Sequence, residues 1–539
     1  MATGIPMAGP MLRVKPWRRT ALPWWTAQAW GAIGVTALFL GITFWWLTQD
    51  RSIPIFDAGR HLSFAFLILE ELRAGHLEHA LTLSIPYPPF AYLVGDIGIL
   101  FGGIAVAPPI IAENLVFVPL LALGCYHVAR LAFNRTAGLL AVVFALGSPL
   151  VTAQFHVFMT DAPETAMVAV SLWAILATDG FSRVGVCALA GVAVGLGMLT
   201  KEPFVFYAAG PVLVTAIRGR AKAWRGLLVF VVVAGGIALP WYTHELAEIT
   251  SLGSSSITEV NNHARPSAVA PPRLSIYNLG WYFWNVANVQ LYAVLWACFV
   301  VGWLWTLAGF VRRRPVSRFA PELVIGSFVA WLAITETYLH DGRYGMPLLV
   351  YLAAFGVGWI TRLPRWGRMA AVAAVVLAAA ANVAGTSFGL GAKVSLDLNG
   401  TRSGDEQALG FLTLYSNTGF LVSGPQRDGD ILATLEALRQ RGVRAIVLEP
   451  AAIGKPAFSA AGMFALDDIA GLATVSEARV SPTGLTREYA VLRNAPIQAG
   501  EAPPCVRLDN GTGVWIRLGD PYAPGARDYC PLRHPSFYG

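Results

Sequence analysis

Three observations predict the fold class, an all-α polytopic membrane domain followed by a C-terminal soluble α/β domain. The 539 residues are 55% hydrophobic and only 13% charged, so most of the chain could not stay soluble if it folded alone in water. Apolar runs of membrane-crossing length recur from residue 27 to residue 389, with short clusters of arginine and lysine between them. From Lys393 the composition becomes that of an ordinary soluble protein, with frequent charges and turn signals such as Ser423-Gly424-Pro425. The expected divisions are a basic N-terminus (1–26), a transmembrane domain (27–392) and a soluble domain (393–539). A net charge of +7 does not point to nucleic acid here, because the basic residues are spread among apolar runs rather than gathered on one surface.

The apolar run Ala27 to Leu47 follows Arg13, Lys15, Arg18 and Arg19. It is too long for the core of a signal peptide and has no small-residue cleavage site behind it, so it is expected to remain as an anchor. Ten further spans are expected near 109–131, 136–155, 163–178, 184–200, 203–217, 226–242, 288–310, 321–338, 344–361 and 368–389, about eleven in all. With this set, six basic clusters fall on one side: Arg13 to Arg19, Arg130 with Arg135, Arg183, Arg218 to Arg225, Arg312 to Arg318 and Arg362 to Arg368. Positive residues favour the cytoplasmic face, which puts the N-terminus inside and the soluble domain outside a plasma (inner) membrane. The apolar stretch Phe90 to Val106 would break this parity if it crossed, so it is expected to be a juxtamembrane or re-entrant helix of the first outer loop.

In the soluble domain, Phe420 to Ser423 and Arg444 to Leu448 read as strands and Ile431 to Arg441 as a helix between them, a βαβ pattern. Cys125, Cys187 and Cys298 lie inside apolar runs, where a thiol acts as a small hydrophobe. Cys505 and Cys530 share a domain expected in an oxidising compartment, where a disulfide is their simplest state.

The parity argument gathers chemistry-bearing residues at the outer face. Asp57 begins the first outer loop, followed by Arg60 and His61; it is either a base near the membrane surface or the N-cap of an amphipathic helix containing Phe64, Leu67, Ile68 and Leu72. Asp161, in Thr160-Asp161-Ala162-Pro163-Glu164, either faces a shared cavity or caps the next helix with Glu164 completing a capping box. Lys201 stands where two spans meet and either binds an anion, or pairs with the adjacent Glu202 or snorkels to the interface. In His340-Asp341-Gly342-Arg343-Tyr344, the guanidinium suits bidentate contact with a phosphate, with Tyr344 adding a hydrogen bond; anchoring at lipid headgroups is the plain alternative. The long loop from Thr243 to Tyr282 supplies His263 and Arg265, suited to a mobile cover over a lipid-linked ligand.

Taken in order, these residues resemble the membrane glycosyltransferases of the C superfold, in the branch similar to protein O-mannosyltransferases and the aminoarabinose transferase of lipid A. The resemblance rests on Asp57 after the first span, Tyr87-Pro88-Pro89 opening a juxtamembrane helix, Asp161, and a Gly-x-x-x-x-x-Lys element ending in Lys201. It continues with Pro240-Trp241-Tyr242 and with Arg343-Tyr344 followed by Pro347. Ala58 and Tyr87 depart from it, since the family often has an acidic residue and a basic residue there.

The resemblance implies a mannosyltransferase-like enzyme of the cell envelope. It would transfer a sugar from a polyprenyl-phosphate donor in the outer leaflet to a hydroxyl acceptor, with inversion. It also implies Asp57 and Asp161 as catalytic carboxylates, Arg343, Lys201 and Tyr344 on the donor phosphate, and His61, Tyr87, His263 and Arg265 as possible substrate contacts. No cofactor is expected, and no metal-ligand spacing is evident in the sequence. The rival reading is a transporter or lipid flippase, but the chain has no repeated halves, and its charged candidates gather at one face rather than at mid-membrane.

Overall fold

The structure is a computed structural model of the 539-residue chain. It describes residues 26–50, 56–82, 87–102, 106–263, 276–314, 316–335, 341–390, 394–397, 411–415, 445–450, 475–480, 487–492, 505–507 and 514–518.

Helix α1 (Ala27–Gln49) starts at Thr26, whose hydroxyl accepts the Ala29 amide. It is followed by α2 (Phe56–Arg73), α3 (Leu77–Thr82) and α4 (Phe90–Gly102). The 13-residue α4 lies against α2 and α5 (Ala107–Ala132). On α2, Leu62, Phe64, Ala65, Ile68 and Leu69 are buried, the face expected of an amphipathic helix.

The remaining helices are α6 (Arg135–Leu146), α7 (Pro149–Phe155), α8 (Asp161–Ala177), α9 (Val184–Met198), α10 (Phe204–Gly219), α11 (Trp224–His263), α12 (Ile276–Asn285), α13 (Tyr292–Val311), α14 (Ala320–Thr335), α15 (Leu349–Gly358) and α16 (Arg365–Phe388). Six helical stretches of the described residues are long and apolar enough to cross a membrane, or seven if α6 and α7, bent by 64° at their junction, count as one span. The chain is therefore a multi-pass membrane protein. The described residues of the stretches expected to cross are largely helical, with 336–338 outside the described residues, but α8, α9, α10 and α14 have only 17, 15, 16 and 16 residues.

Packing between the helices follows the small residues. Gly191 and Gly195, four apart on one face of α9, meet α11 so closely that a Cβ at Gly191 would stand 2.7 Å from the Phe230 carbonyl oxygen. The same device joins α5 to α8, where Gly124 faces the Ala169 backbone. Large apolar side chains that remain exposed, such as Leu189, Val232, Leu304 and Leu377, lie on the outer surfaces of these helices, as lipid contact requires. The three cysteines of the apolar runs are free and buried.

Two short elements interrupt this pattern. A π-turn, Val286–Leu291, joins α12 to α13 and ends at Tyr292 with φ of 54°. A 3-10 turn, Gly342–Leu348, leads into α15.

Beyond α16, strands β1 (Val394–Asp397) and β2 (Phe411–Tyr415) pair antiparallel. Strands β3 (Ala445–Pro450), β4 (Val475–Val480), β5 (Arg487–Leu492), β6 (Cys505–Arg507) and β7 (Val514–Leu518) form an antiparallel sheet in the order β4-β5-β3-β7-β6. The expected strand Arg444 to Leu448 thus corresponds to β3, with antiparallel neighbours on both sides. The expected strand Phe420 to Ser423 and helix Ile431 to Arg441 lie outside the described residues, as does Cys530. Cys505 opens β6, but its side chain is likewise outside the description.

The close α9–α11 approach sets a stability test. Gly191→Val is expected to lower the thermal unfolding midpoint in detergent, at a cost of about 1–3 kcal/mol for overpacking. An unchanged midpoint would show that the two helices can separate freely.

Candidate active site

Segments far apart in sequence supply the charged residues. Asp57 lies in the first turn of α2, which begins one residue earlier at Phe56. Its carboxylate therefore does not cap that helix; instead its Oδ2 accepts a bond from Arg343 Nη2 at 3.0 Å, across 286 residues of sequence. Arg343 is the second residue of the 3-10 turn. Asp341 caps that turn by accepting the Arg343 amide at 2.9 Å on Oδ1 and holds the guanidinium through Oδ2, with Nε at 3.0 Å and Nη2 at 2.7 Å. One arginine is thereby fixed by two carboxylates, and planar fork geometry suits it to this role.

Asp161 also departs from the capping reading. Thr160 occupies the N-cap position of α8 without a side-chain cap bond, and Asp161 is the first helical residue. Its Oδ1 instead accepts from Lys201 Nζ at 2.6 Å, and both side chains are almost wholly buried. Lys201 therefore pairs not with its neighbour Glu202 but with a carboxylate 40 residues away. Its ammonium also lies 5.0 Å from the centre of the Tyr344 ring, a cation–π contact. Burial opposes the charge on Lys201, but Asp161, Glu164 and Tyr344 more than offset this and hold the amine above the ordinary lysine value.

Tyr344 links the two ion pairs, because it follows Arg343 in sequence and stacks on Lys201. Its carbonyl accepts a bond from the Tyr207 hydroxyl, while the Tyr207 carbonyl accepts from the Tyr351 hydroxyl at 2.7 Å. Exposure grades across the cluster. The Asp161 and Lys201 side chains are 1% and 8% exposed, Arg343 is 16% exposed and Asp57 40%, so Asp57 is the member most open to an incoming group.

His61, one turn along α2 from Asp57, is buried; its Nδ1 lies 2.7 Å from the Tyr92 hydroxyl and its ring meets Tyr87 edge-on at 4.8 Å. The Phe90 amide, just after Tyr87-Pro88-Pro89, bonds to the Leu199 carbonyl at 2.9 Å, two residues before Lys201. Trp241 donates to the Leu81 carbonyl and Tyr242 to the Met198 carbonyl, both at 2.9 Å. The side chain of His263 and all of Arg265 lie outside the description. Among the described residues no three His, Cys, Asp or Glu side chains gather to hold a metal ion.

Asp341 was not singled out from the sequence, although a cap residue two positions before a candidate arginine is a usable signal. Glu113 and His156, fully buried in the apolar region, also escaped notice; Glu113 stands close enough to Asp161 for their like charges to interact.

The family model for dolichyl-phosphate-mannose-protein mannosyltransferases matches residues 88–242, the stretch that carries Asp161 and Lys201. Over that stretch the chain is similar to this family of mannosyltransferases.

Among solved structures, apo ArnT from Cupriavidus metallidurans is similar at 19% identity and TM-score 0.43, over 62% of this chain and 62% of its own. ArnT from the same organism bound to undecaprenyl phosphate gives 16% identity and TM-score 0.47, over 82% and 75%. The apo oligosaccharyltransferase of Archaeoglobus fulgidus gives 13% and 0.43, over 77% and 59%. This protein thus spans less than two thirds of the apo ArnT and oligosaccharyltransferase chains. No curated protein sequence matches it.

Two stability outcomes follow. Lys201→Met should cost about 3–5 kcal/mol in thermal unfolding, because it leaves Asp161 charged and buried, and adding Asp161→Asn should recover part of the loss. The second concerns Glu202, whose Oε1 is buried without a hydrogen-bond partner; burial, opposed in part by Lys201, pushes its acid up to about 7. As pH rises from the ordinary carboxyl value towards 7, the unfolded chain loses this proton before the folded one does, so Glu202 removes stability with rising pH. Glu202→Gln should therefore match wild type near pH 4 and exceed it above pH 7, with unfolding midpoints measured across that range.

Proposed function

We propose that this protein is an inverting glycosyltransferase, moving a sugar from a polyprenyl-phosphate donor to a hydroxyl acceptor at the outer face of the membrane. The observation that carries the reading is the gathering of one reachable carboxylate, Asp57, with two cations, Arg343 and Lys201, at the ends of the helices. The family matched over residues 88–242 takes its name from a dolichyl-phosphate sugar, which supports a donor of that class.

In this mechanism, Asp57 accepts the proton of the acceptor hydroxyl as its oxygen attacks the anomeric carbon. The sugar–phosphate bond breaks on the opposite side, and negative charge grows on the leaving lipid phosphate. Arg343 commits its Nε and Nη2 to carboxylates, leaving Nη1 for that phosphate. Lys201 supplies the second positive charge and Tyr344 a hydroxyl, while Asp161, buried behind Lys201, keeps the ammonium aimed. On Asp57, Oδ2 is held by the arginine and Oδ1 is the oxygen assigned to the proton. Two fixed side-chain cations do the work that a metal would do elsewhere. The reading also puts eleven crossings in the bundle, the N-terminus in the cytoplasm, the C-terminal domain outside and the protein in the plasma (inner) membrane.

The test uses the purified full-length protein with polyprenyl-phosphate sugars labelled in the sugar. Asp57→Asn should reduce transfer on the order of 10²–10⁴-fold while leaving donor binding measurable. Arg343→Ala should raise the donor KM as well as lower kcat, and chelator treatment should leave transfer unchanged. Full activity in Asp57→Asn would remove Asp57 as the base.

A further inference from the structure

The π-turn Val286–Leu291 touches the catalytic segment on one side and the C-terminal segment on the other. Asn288 Oδ1 accepts the amide of Thr413, in β2, at 2.8 Å. Two residues on, Gln290 Nε2 donates to the carbonyl of Gly342 at 3.3 Å, immediately before Arg343. Residues two apart on a helical turn project to roughly opposite sides, so one short element can hold a strand with one side chain and the 3-10 turn with the other.

The turn itself is firmly seated. The Gln290 backbone carbonyl accepts from Ser148 Oγ at 2.7 Å, at the bend between α6 and α7, and Asn288 Nδ2 donates to the Trp284 carbonyl at 3.1 Å. Gln290 is fully buried and Thr413 nearly so. There is no slack between the turn and the catalytic segment, since a Cβ on Gly345 would stand 2.7 Å from Gln290 Nε2. The strand is anchored a second time, by the Tyr415 hydroxyl donating to the Leu390 carbonyl just past α16.

We infer that Asn288 and Gln290 are positioning residues through which the first strands of the C-terminal segment set the place of Arg343. This rests on the reading of Arg343 as the donor-phosphate contact. A π-turn gives up regular helical bonding, and such turns concentrate at functional sites. Here the interruption puts two amide side chains on a line from Thr413 to Gly342. Loosening either end would let the 3-10 turn shift, and the arginine would meet the phosphate less often in the correct geometry.

The experiment combines amide hydrogen exchange with donor kinetics on the full-length protein in detergent. The variants are Asn288→Leu, Gln290→Met and, as the control that keeps an acceptor oxygen for Thr413, Asn288→Asp. Asn288→Leu and Gln290→Met are each expected to speed exchange across 342–348 and to raise the donor KM about fivefold, the effect of losing one partly buried hydrogen bond. kcat should remain within about twofold, with the melting midpoint near that of wild type, and Asn288→Asp should restore the exchange pattern. Exchange across 342–348 that stays at the wild-type rate in both single variants would overturn the coupling. Faster exchange with an unchanged donor KM would uphold the coupling and remove Arg343 from the donor site, which separates this inference from the functional reading beneath it.

Discussion

The site depends on keeping a guanidinium charged in a poorly solvated place. Arg343 is held there by Asp57 and Asp341, and Lys201 by Asp161, so each cation carries its counterions with it before any ligand arrives. Charges taken out of water without partners are costly, and a buried pair broken from one side is worse than no pair. The carboxylates are therefore conditions for the cations to stand where an anion, in the proposed reading a lipid phosphate, can reach them. They also give order to the cluster, because Asp57 ties α2 to the turn between α14 and α15, Asp161 ties α8 to the loop between α9 and α10, and Asp341 fixes Arg343 within its own turn.

Three carboxylates and two cations leave this group with a small negative excess when empty. An arriving phosphate adds to that excess and competes for the same donors. Contact with the phosphate and release of Asp57 from its arginine are thus linked by charge, since a guanidinium shared with a new anion binds the old one less strongly. In the proposed mechanism, the same residues that hold Asp57 also weight the moment at which it becomes free to act as base.

Much of this was legible in the sequence, and the limits have physical causes. Hydropathy located the helices, since twenty apolar residues leave few alternatives to a membrane. Asp57, Asp161, Lys201, Arg343 and Tyr344 could be named because charges at the ends of apolar runs stand out. Their pairings could not, because which carboxylate meets which cation depends on helix rotation and crossing, to which hydropathy is blind. Local rules suggested that Asp161 would cap its helix and that Lys201 would take its neighbour Glu202; in the fold, a partner 40 residues away won both. Asn288 and Gln290 looked like ordinary polar residues in an aromatic stretch, since nothing in composition announces a π-turn. The antiparallel neighbours of β3 also needed coordinates, because strand order is a matter of contacts distant in sequence.

The brevity of α8, α9 and α10 has a consequence for the lipid around them. Fifteen to seventeen residues rise only about 22–26 Å, against a hydrocarbon layer of roughly 30 Å. In the proposed topology of eleven crossings such helices would be mismatched to an undisturbed bilayer: either the leaflet dips to meet them or their flanking loops sit below the headgroups. In that topology Lys201, at the junction of two of these helices, would lie at the bottom of a local depression rather than on a flat shore. A long-chain phosphate diffusing in the leaflet would find its charged head drawn down there, into a dimple shaped by helix length alone.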